Sequence, residues 1–260
     1  MADIYHEIVR IRDEGEGAAL VTIVSAIGST PREEGAKMLV KADGSIIGSI
    51  GGGSVEAQVC DQAMEVIRKG KPQRLHLSLK AGEGEQPGMV CGGDIEVFIE
   101  PILLPLTLYI FGGGHVSLPL ANIGKLLGFR IVVIDNRVEF ANPQRFPEAE
   151  LTLAEDFNQA FCKLRITKSS FIIIVTRNHQ YDELILEWAL GTPAKYVGMI
   201  GSETKKKAIF SHLLAKGMPQ QQLDNVHTPI GLGIYAQTPE EIAVSILAEI
   251  IMVYRSSPNS

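Results

Sequence analysis

The segment Leu108-Tyr109-Ile110-Phe111-Gly112-Gly113-Gly114-His115-Val116-Ser117 narrows the folds open to this chain more than any other. A short apolar run of strand character stops at a glycine triplet, and a helical pattern follows from His115 to Leu127, closed by Gly128. The spacing matches G-x-G-x-x-small, the fingerprint of a dinucleotide-binding turn. Each position has a physical duty there. Gly112 permits the tight turn, Gly114 lets a pyrophosphate approach the backbone, and Ser117 is small enough for helix to pack on strand. The helix start supplies unpaired N–H groups and a partial positive charge for an anion. The next strand, Arg130-Ile131-Val132-Val133-Ile134-Asp135, ends on an acid 23 residues after Gly112. A carboxylate there accepts hydrogen bonds from a ribose 2′-OH. Gly112, Gly114, His115, Ser117 and Asp135 are therefore the candidate nucleotide-binding residues. Arg137, just beyond, leaves the choice between NAD and NADP open.

From Thr107 onward strands and helices alternate. The strand-like runs "FIIIV" (171–175) and "YVGMI" (196–200) are separated and followed by "YDELILEWAL" and "ETKKKAIFSHLLAKG", both of helical period. Such alternation implies a parallel sheet with helices on both faces. Thr238, Pro239 and Glu241 form a capping box that opens a last helix, running to Tyr254. The front of the chain reads differently. A helix over 3–13 is followed by the buried strand "AALVTIVSAIG", then by two short strands around Asp43-Gly44. That dipeptide favours a tight hairpin in which both central residues take positive φ. A helix over 54–70 ends at Gly70, and "RLHLSL" and "DIEVFIEPI" alternate as strands. The expectation is an α/β protein in two domains. Residues 1–104 form an α+β domain with mainly antiparallel strands, and residues 105–260 a Rossmann-like parallel-sheet domain, joined at "PILLPL".

Charge excludes some functions. Through Leu104 there are 10 basic and 16 acidic residues, and beyond it 14 of each, so the net −6 lies in the front domain. An acidic front and a neutral back argue against a nucleic-acid surface. Lys205-Lys206-Lys207 is the one basic cluster and reads as a solvated helix face. No apolar run reaches the roughly 20 residues of a membrane span. The amphipathic, charged start is unlike a secretory signal, and three cysteines without a CxxC pair suit a reducing cytoplasm.

Two further stretches carry chemistry. "VTRNHQYD" follows a parallel strand, where ligands of such sheets bind. His179 and Asp182 there can serve in proton transfer or metal binding, or simply mark a helix start. In the front domain, Gly51-Gly52-Gly53 lacks a strand–helix–strand unit but leads into a helix, where an anion can rest. Arg32 can fork onto a phosphate or carboxylate. Cys91, before Gly92-Gly93, is either a buried structural thiol or a thiol placed where backbone approaches a ligand closely.

Taken in order, "GSTPREEGAKMLV" (28–40), "IGGGSVEA" (50–57), "MVCGGDIEVFIEP" (89–101), "LYIFGGGHVSLPLA" with "VVIDNR", "YVGMIGS" and "PIGLGIYAQTPEEIAVSILAEI" resemble the xanthine dehydrogenase accessory proteins, the XdhC/CoxI family, over nearly the whole chain. The resemblance implies a chaperone, more a maturation factor than an enzyme. It would receive molybdenum cofactor, shelter it during sulfuration and deliver it to a molybdenum hydroxylase apoenzyme. A cysteine desulfurase is an implied further partner. On this reading Arg32, Gly52, Gly53, Glu56, Cys91, Gly92 and Gly93 make the molybdopterin side, with Cys91 near the metal because a soft centre suits a thiolate. The fingerprint would then take NAD(P) or another nucleotide. A homodimer is expected on general grounds. Relatives often carry cysteine in place of Ser54, "THDH" in place of Thr176–His179, and "GLDIGA" in place of Gly231–Ala236. The competing expectations are an NAD(P)-dependent oxidoreductase acting on a small molecule and a redox- or nucleotide-sensing regulator.

Overall fold

A computed structural model describes residues 3–79 and 92–256. They divide into two compact units, one before and one after the junction of Leu104 and Pro105.

In the first unit, α1 (Ile4–Glu14) precedes β1 (Ala18–Ile27), β2 (Lys37–Lys41), β3 (Ile46–Gly48), α2 (Gly53–Lys69), β4 (Gln73–Ser78) and β5 (Asp94–Pro101). The strands form one antiparallel sheet in the order β3-β2-β1-β5-β4. Strand β1 is central because both its faces are apolar. Ala19, Val21 and Ile23 point into a core with Val59, Ala63 and Val66 of α2. Ala18 and Leu20 point the other way, against Ile11 of α1 and Leu39. Period-two alternation thus buries one sheet between two helices. Left-handed glycines end both helices, Gly15 at φ +66° and Gly70 at φ +65°.

The β2–β3 turn departs from the expected hairpin. Gly44 has φ +82°, but Asp43 does not share the left-handed region. Gly44 N–H donates to Lys41 O at 2.9 Å, closing an ordinary turn followed by one left-handed glycine. Asp43 acts through its side chain instead, accepting the N–H of Ser45 at 2.9 Å and its hydroxyl at 2.6 Å.

The second unit contains β6 (Thr107–Phe111), α3 (Ser117–Leu126), β7 (Arg130–Asp135), β8 (Leu151–Ala154), α4 (Phe157–Phe161), β9 (Ser170–Ile174), α5 (His179–Leu190), β10 (Tyr196–Met199), α6 (Glu203–Ala215), α7 (Gln220–Asp224) and α8 (Pro239–Ser256). All five strands are parallel, in the order β10-β9-β6-β7-β8. Strands buried on both faces read as continuous apolar runs. Their alternate residues divide two cores. Phe111, Ile134, Ile174 and Met199 pack with α4, α5 and α6. Leu108, Ile110, Val133 and Ile173 pack with α3 and α8. The capping box of α8 is formed: Glu241 N–H donates to Thr238 Oγ1 at 3.2 Å, and Thr238 N–H returns to Glu241 Oε2 at 3.1 Å. The fold is therefore α/β, with an antiparallel first sheet and a Rossmann-like second one. Because the strand order reverses beside β6, the carboxyl ends of β6 and β9 are where sheets of this topology leave their ligand crevice.

Candidate functional site

The glycine turn sits on the carboxyl end of β6, and its three glycines have different surroundings. Gly112 has φ +103°, and a Cβ there would lie 2.6 Å from the Val175 carbonyl oxygen. A Cβ on Gly113 would lie 1.9 Å from the Phe140 carbonyl oxygen. Only at Gly114 would an added Cβ meet nothing within 4 Å. The first two glycines thus admit neighbouring backbone, and the third faces open space. Ser117 is fully buried and its hydroxyl donates to Gly112 O, tying the helix to the turn. No side chain caps α3 and no acid stands in its first turn. Its leading N–H groups are therefore free to meet an anion. His115, on the same turn, is exposed.

Asp135 ends β7 as expected but is already engaged. It is only 3% exposed. It accepts the N–H of Gly113 at 2.8 Å, the N–H of Arg137 at 3.1 Å, and Nε and Nη2 of Arg137 at 2.9 Å each. A carboxylate offers about four acceptor positions, and these four donors take them. A ribose hydroxyl would have to displace one. Sequence reasoning also missed the segment that covers this turn. The Phe140 ring lies under the guanidinium of Arg137, 3.6 Å from its centroid, with Arg145 on it at 5.4 Å. Arg145 Nε donates to Gly113 O at 3.0 Å. Aromatic and arginine residues after β7 were the only local signal.

At the end of β9 the structure separates His179 from Asp182. His179 is the first residue of α5 and exposed, with no hydrogen bond to Asp182. Asp182 is fully buried, accepts the Thr176 hydroxyl at 2.7 Å and pairs with Lys205 Nζ. Burial pushes its carboxyl up, while Lys205 and Thr176 pull the other way. The lysine run is accordingly not a solvated face. Lys205 Nζ also donates to Ile200 O at 3.1 Å, Lys206 Nζ donates to Thr228 O at 3.0 Å, and only Lys207 is exposed. The Asp182–Lys205 pair fastens α5 to α6 beside the crevice.

In the first unit the three sequence-selected loops meet. A Cβ on Gly28 would lie 3.1 Å from Gly93 Cα, and one on Gly93 would lie 2.5 Å from Ile27 O. A Cβ on Gly51 would lie 2.5 Å from Pro31 Cγ. These glycines let loop pack on loop. An added Cβ at Gly52 or Gly92, in contrast, would meet no described residue within 4 Å. Gly53 begins α2 and is exposed. Arg32 is exposed and makes no ion pair with described residues. Cys91 lies outside the described residues.

The first glycine triplet does cradle an anion, and the anion is its own. Glu56 Oε1 accepts the Ser49 hydroxyl at 2.7 Å and the N–H groups of Ile50 at 3.1 Å, Gly51 at 3.3 Å and Gly52 at 2.9 Å. Burial raises the carboxyl, but these donors outweigh it and hold it below its usual value. Among the described residues, no three His, Cys, Asp or Glu side chains are grouped to hold a metal. No described helix is long and apolar enough to cross a membrane.

An antiparallel α+β unit followed by a parallel-sheet unit with a glycine turn at its switch point defines a two-part protein with a Rossmann domain. The chain belongs to the XdhC family: the family's Rossmann domain matches residues 108–250, and the XdhC and CoxI family domain matches residues 11–78. It is 36% identical over 98% of its length to the uncharacterized protein YqeB of Escherichia coli, covering 47% of that protein. It is 31% identical over 60% of its length to a probable xanthine dehydrogenase subunit of Bacillus subtilis, covering 45% of it. The chain thus spans about half the length of these two relatives. It is 25% identical to the molybdenum cofactor insertion chaperone PaoD of Escherichia coli, over 97% of the chain and 90% of PaoD. A crystal structure described as a xanthine dehydrogenase from Bacillus halodurans shares the fold, with TM-score 0.52 and 24% identity over 96% of both chains.

Proposed function

We propose that this chain is an accessory factor of molybdenum hydroxylases that takes up molybdenum cofactor and passes it to an apoenzyme of the xanthine dehydrogenase type. The observation that carries the reading is the full-length similarity to PaoD, which extends through both units. The local chemistry fits a phosphate-bearing pterin in part. The cradle of Gly51–Gly53 is filled by Glu56, so the cofactor's phosphate is assigned to Arg32, which has no ion-pair partner among the described residues, and to the loop face at Gly52 and Gly92. Glu56 then shapes the loop rather than touching the ligand. Cys91, next to Gly92 in sequence, is the soft donor proposed near the metal. When bound, the cofactor supplies the redox chemistry, and the chain's residues bind, orient and shield it. Sulfuration on this chain, with a desulfurase as donor and a homodimer as the working form, belongs to the same proposal.

In the second unit, the uncapped start of α3 and the open Gly114 suit a phosphate group. The saturated Asp135 favours a phosphate-led ligand over one held by its ribose, which weakens the NAD(P) oxidoreductase alternative.

The test is retention of molybdenum cofactor by purified protein under reducing, anaerobic conditions, with Arg32→Ala and Cys91→Ala compared with the wild type. Near-stoichiometric retention, reduced in Arg32→Ala, supports the reading. Retention that drops in Cys91→Ala brings the thiol into the site. Absence of retention by the wild type overturns the proposal.

A further inference from the structure

A second concavity opens in the parallel-sheet unit, at the carboxyl end of the edge strand β10. It has a volume of about 680 Å³ and lies between the start of α6 and the loop Pro229–Ala236. That size is ordinary for a small-molecule site. None of its lining residues belongs to the glycine turn at Gly112–Ser117. Ile200, Ile230 and Ile242 line it with apolar side chains, while Ser202, Gly231 and Gly233 make the polar part of the lining. An added Cβ at Gly233 would meet nothing within 4 Å, so this wall is open.

The loop is held from behind. Gly231 N–H donates to Glu249 Oε2 at 2.9 Å, and the same oxygen accepts the Tyr196 hydroxyl at 2.5 Å. Ser245 Oγ donates to Leu232 O at 2.7 Å. Gly231, at φ +94°, leaves its missing Cβ's place to Ser245 Oγ, 2.4 Å away. A loop pinned at its base this way keeps the cavity shaped before any ligand arrives.

Tyr235 stands at the mouth. It is the one described non-glycine residue at positive φ, +60°, and it is 95% exposed. A left-handed backbone is unfavourable for a residue with a Cβ. Exposing the whole ring is unfavourable as well. The hydroxyl finds no partner among the described residues, so nothing described within the fold offsets either cost. Its neighbour Ile234 is 49% exposed. An apolar cavity with a polar edge and an aromatic ring held at its lip matches a flat ring with hydrogen-bonding edges.

We infer that this pocket binds a planar aromatic heterocycle, with Tyr235 as the stacking platform. Nucleobases and pterins share that chemistry. Its lining includes no residue of the fingerprint turn, and its test does not depend on retention of molybdenum cofactor.

The experiment is calorimetric titration of the full chain with adenine and, separately, with 6-hydroxymethylpterin, neutral rings that carry neither phosphate nor carboxylate for the start of α3. Three variants are compared with the wild type: Tyr235→Gly, Tyr235→Phe and Gly114→Val. Binding of either probe is expected, and its identity tells base from pterin. Tyr235→Gly should weaken it about tenfold, the effect of losing one stacked ring. Tyr235→Phe should keep it within about twofold, since the ring remains. Gly114→Val should leave it unchanged, because neither probe carries the phosphate that the fingerprint turn would take. Because glycine is at ease at positive φ, Tyr235→Gly should melt at or above the wild-type temperature, so its weakened binding is not a folding defect. The inference is overturned if neither probe binds, if Tyr235→Gly binds as the wild type does, or if Gly114→Val abolishes binding. A change of oligomeric state in Tyr235→Gly with unchanged probe affinity would make the ring a protein contact instead, and overturns it equally.

Discussion

Glu56 accepts the backbone N–H of Gly52 at 2.9 Å through the same oxygen that takes the Ser49 hydroxyl at 2.7 Å. One carboxylate oxygen thus gathers the donors of a whole turn, across four residues of chain. The charge sits in the first turn of α2, where the helix dipole favours it.

Replacing this anion should loosen the turn. Glu56→Ala is expected to cost about 1–2 kcal/mol, the size of a lost helix cap. Glu56→Gln, which keeps an acceptor oxygen, should cost less. The sign of the pH effect follows from the depressed carboxyl. Its contribution is complete at neutral pH and fades as pH falls below about 4.3, the usual glutamate value. Denaturant titrations at pH 7 and pH 3 should show the Glu56→Gln deficit shrinking in acid. A deficit that grows in acid would mean that the carboxylate is not the stabilising species.

The neighbouring glycines of the fingerprint should behave oppositely. Gly113→Ala drives a Cβ to 1.9 Å from a backbone oxygen of Phe140, whereas Gly114→Ala enters open space. The first should lose about 1–3 kcal/mol, the range for overpacking, and the second should melt within a degree or two of wild type. Thermal melts of the two single variants decide this. Equal melting temperatures would mean that the segment around Phe140 yields freely.

The pair Asp182–Lys205 gives a third expectation. Lys205→Met strands a fully buried carboxylate, which costs about 3–5 kcal/mol. Adding Asp182→Asn should recover much of that loss. With the lysine gone, only the Thr176 hydrogen bonds still oppose burial, and the Asp182 carboxyl rises further. A raised folded-state value means that stability falls as pH rises from about 3.9, the usual aspartate value, toward neutrality. Lys205→Met should therefore be relatively firmer at pH 5 than at pH 8. The reverse trend would show that Asp182 stays ionised without its partner.

What the sequence revealed, and what it hid, divides along physical lines. Strands β6, β7 and β9 were legible because burial on both faces makes them continuous apolar runs. The edge strand β8 is four residues long and half exposed, and α4 and α7 are five residues each, too short to show a period. The glycine turn could be found by spacing. Its closure could not, because Arg137 lies two residues past Asp135 and reads equally well as a phosphate ligand. Lys205 shows the same limit: helical period places it beside other lysines, and only the tertiary fold turns it onto Asp182. The capping role of Glu56 escaped notice because the usual capping box has Ser or Thr at the cap and an acid three residues on, whereas here Gly52 is the cap and the acid stands four residues on.

The placement of β6 between β7 and β9 has a further meaning for how such a protein can change. The gap above β6 exists because chain connections leave it in opposite directions, not because particular side chains stand aside. Substitution can redecorate its walls, exchange one guest for another, or leave it with none. It cannot erase the gap without rewiring the order of the strands. A lineage built on this sheet therefore keeps a vacancy on offer even after its first tenant has gone.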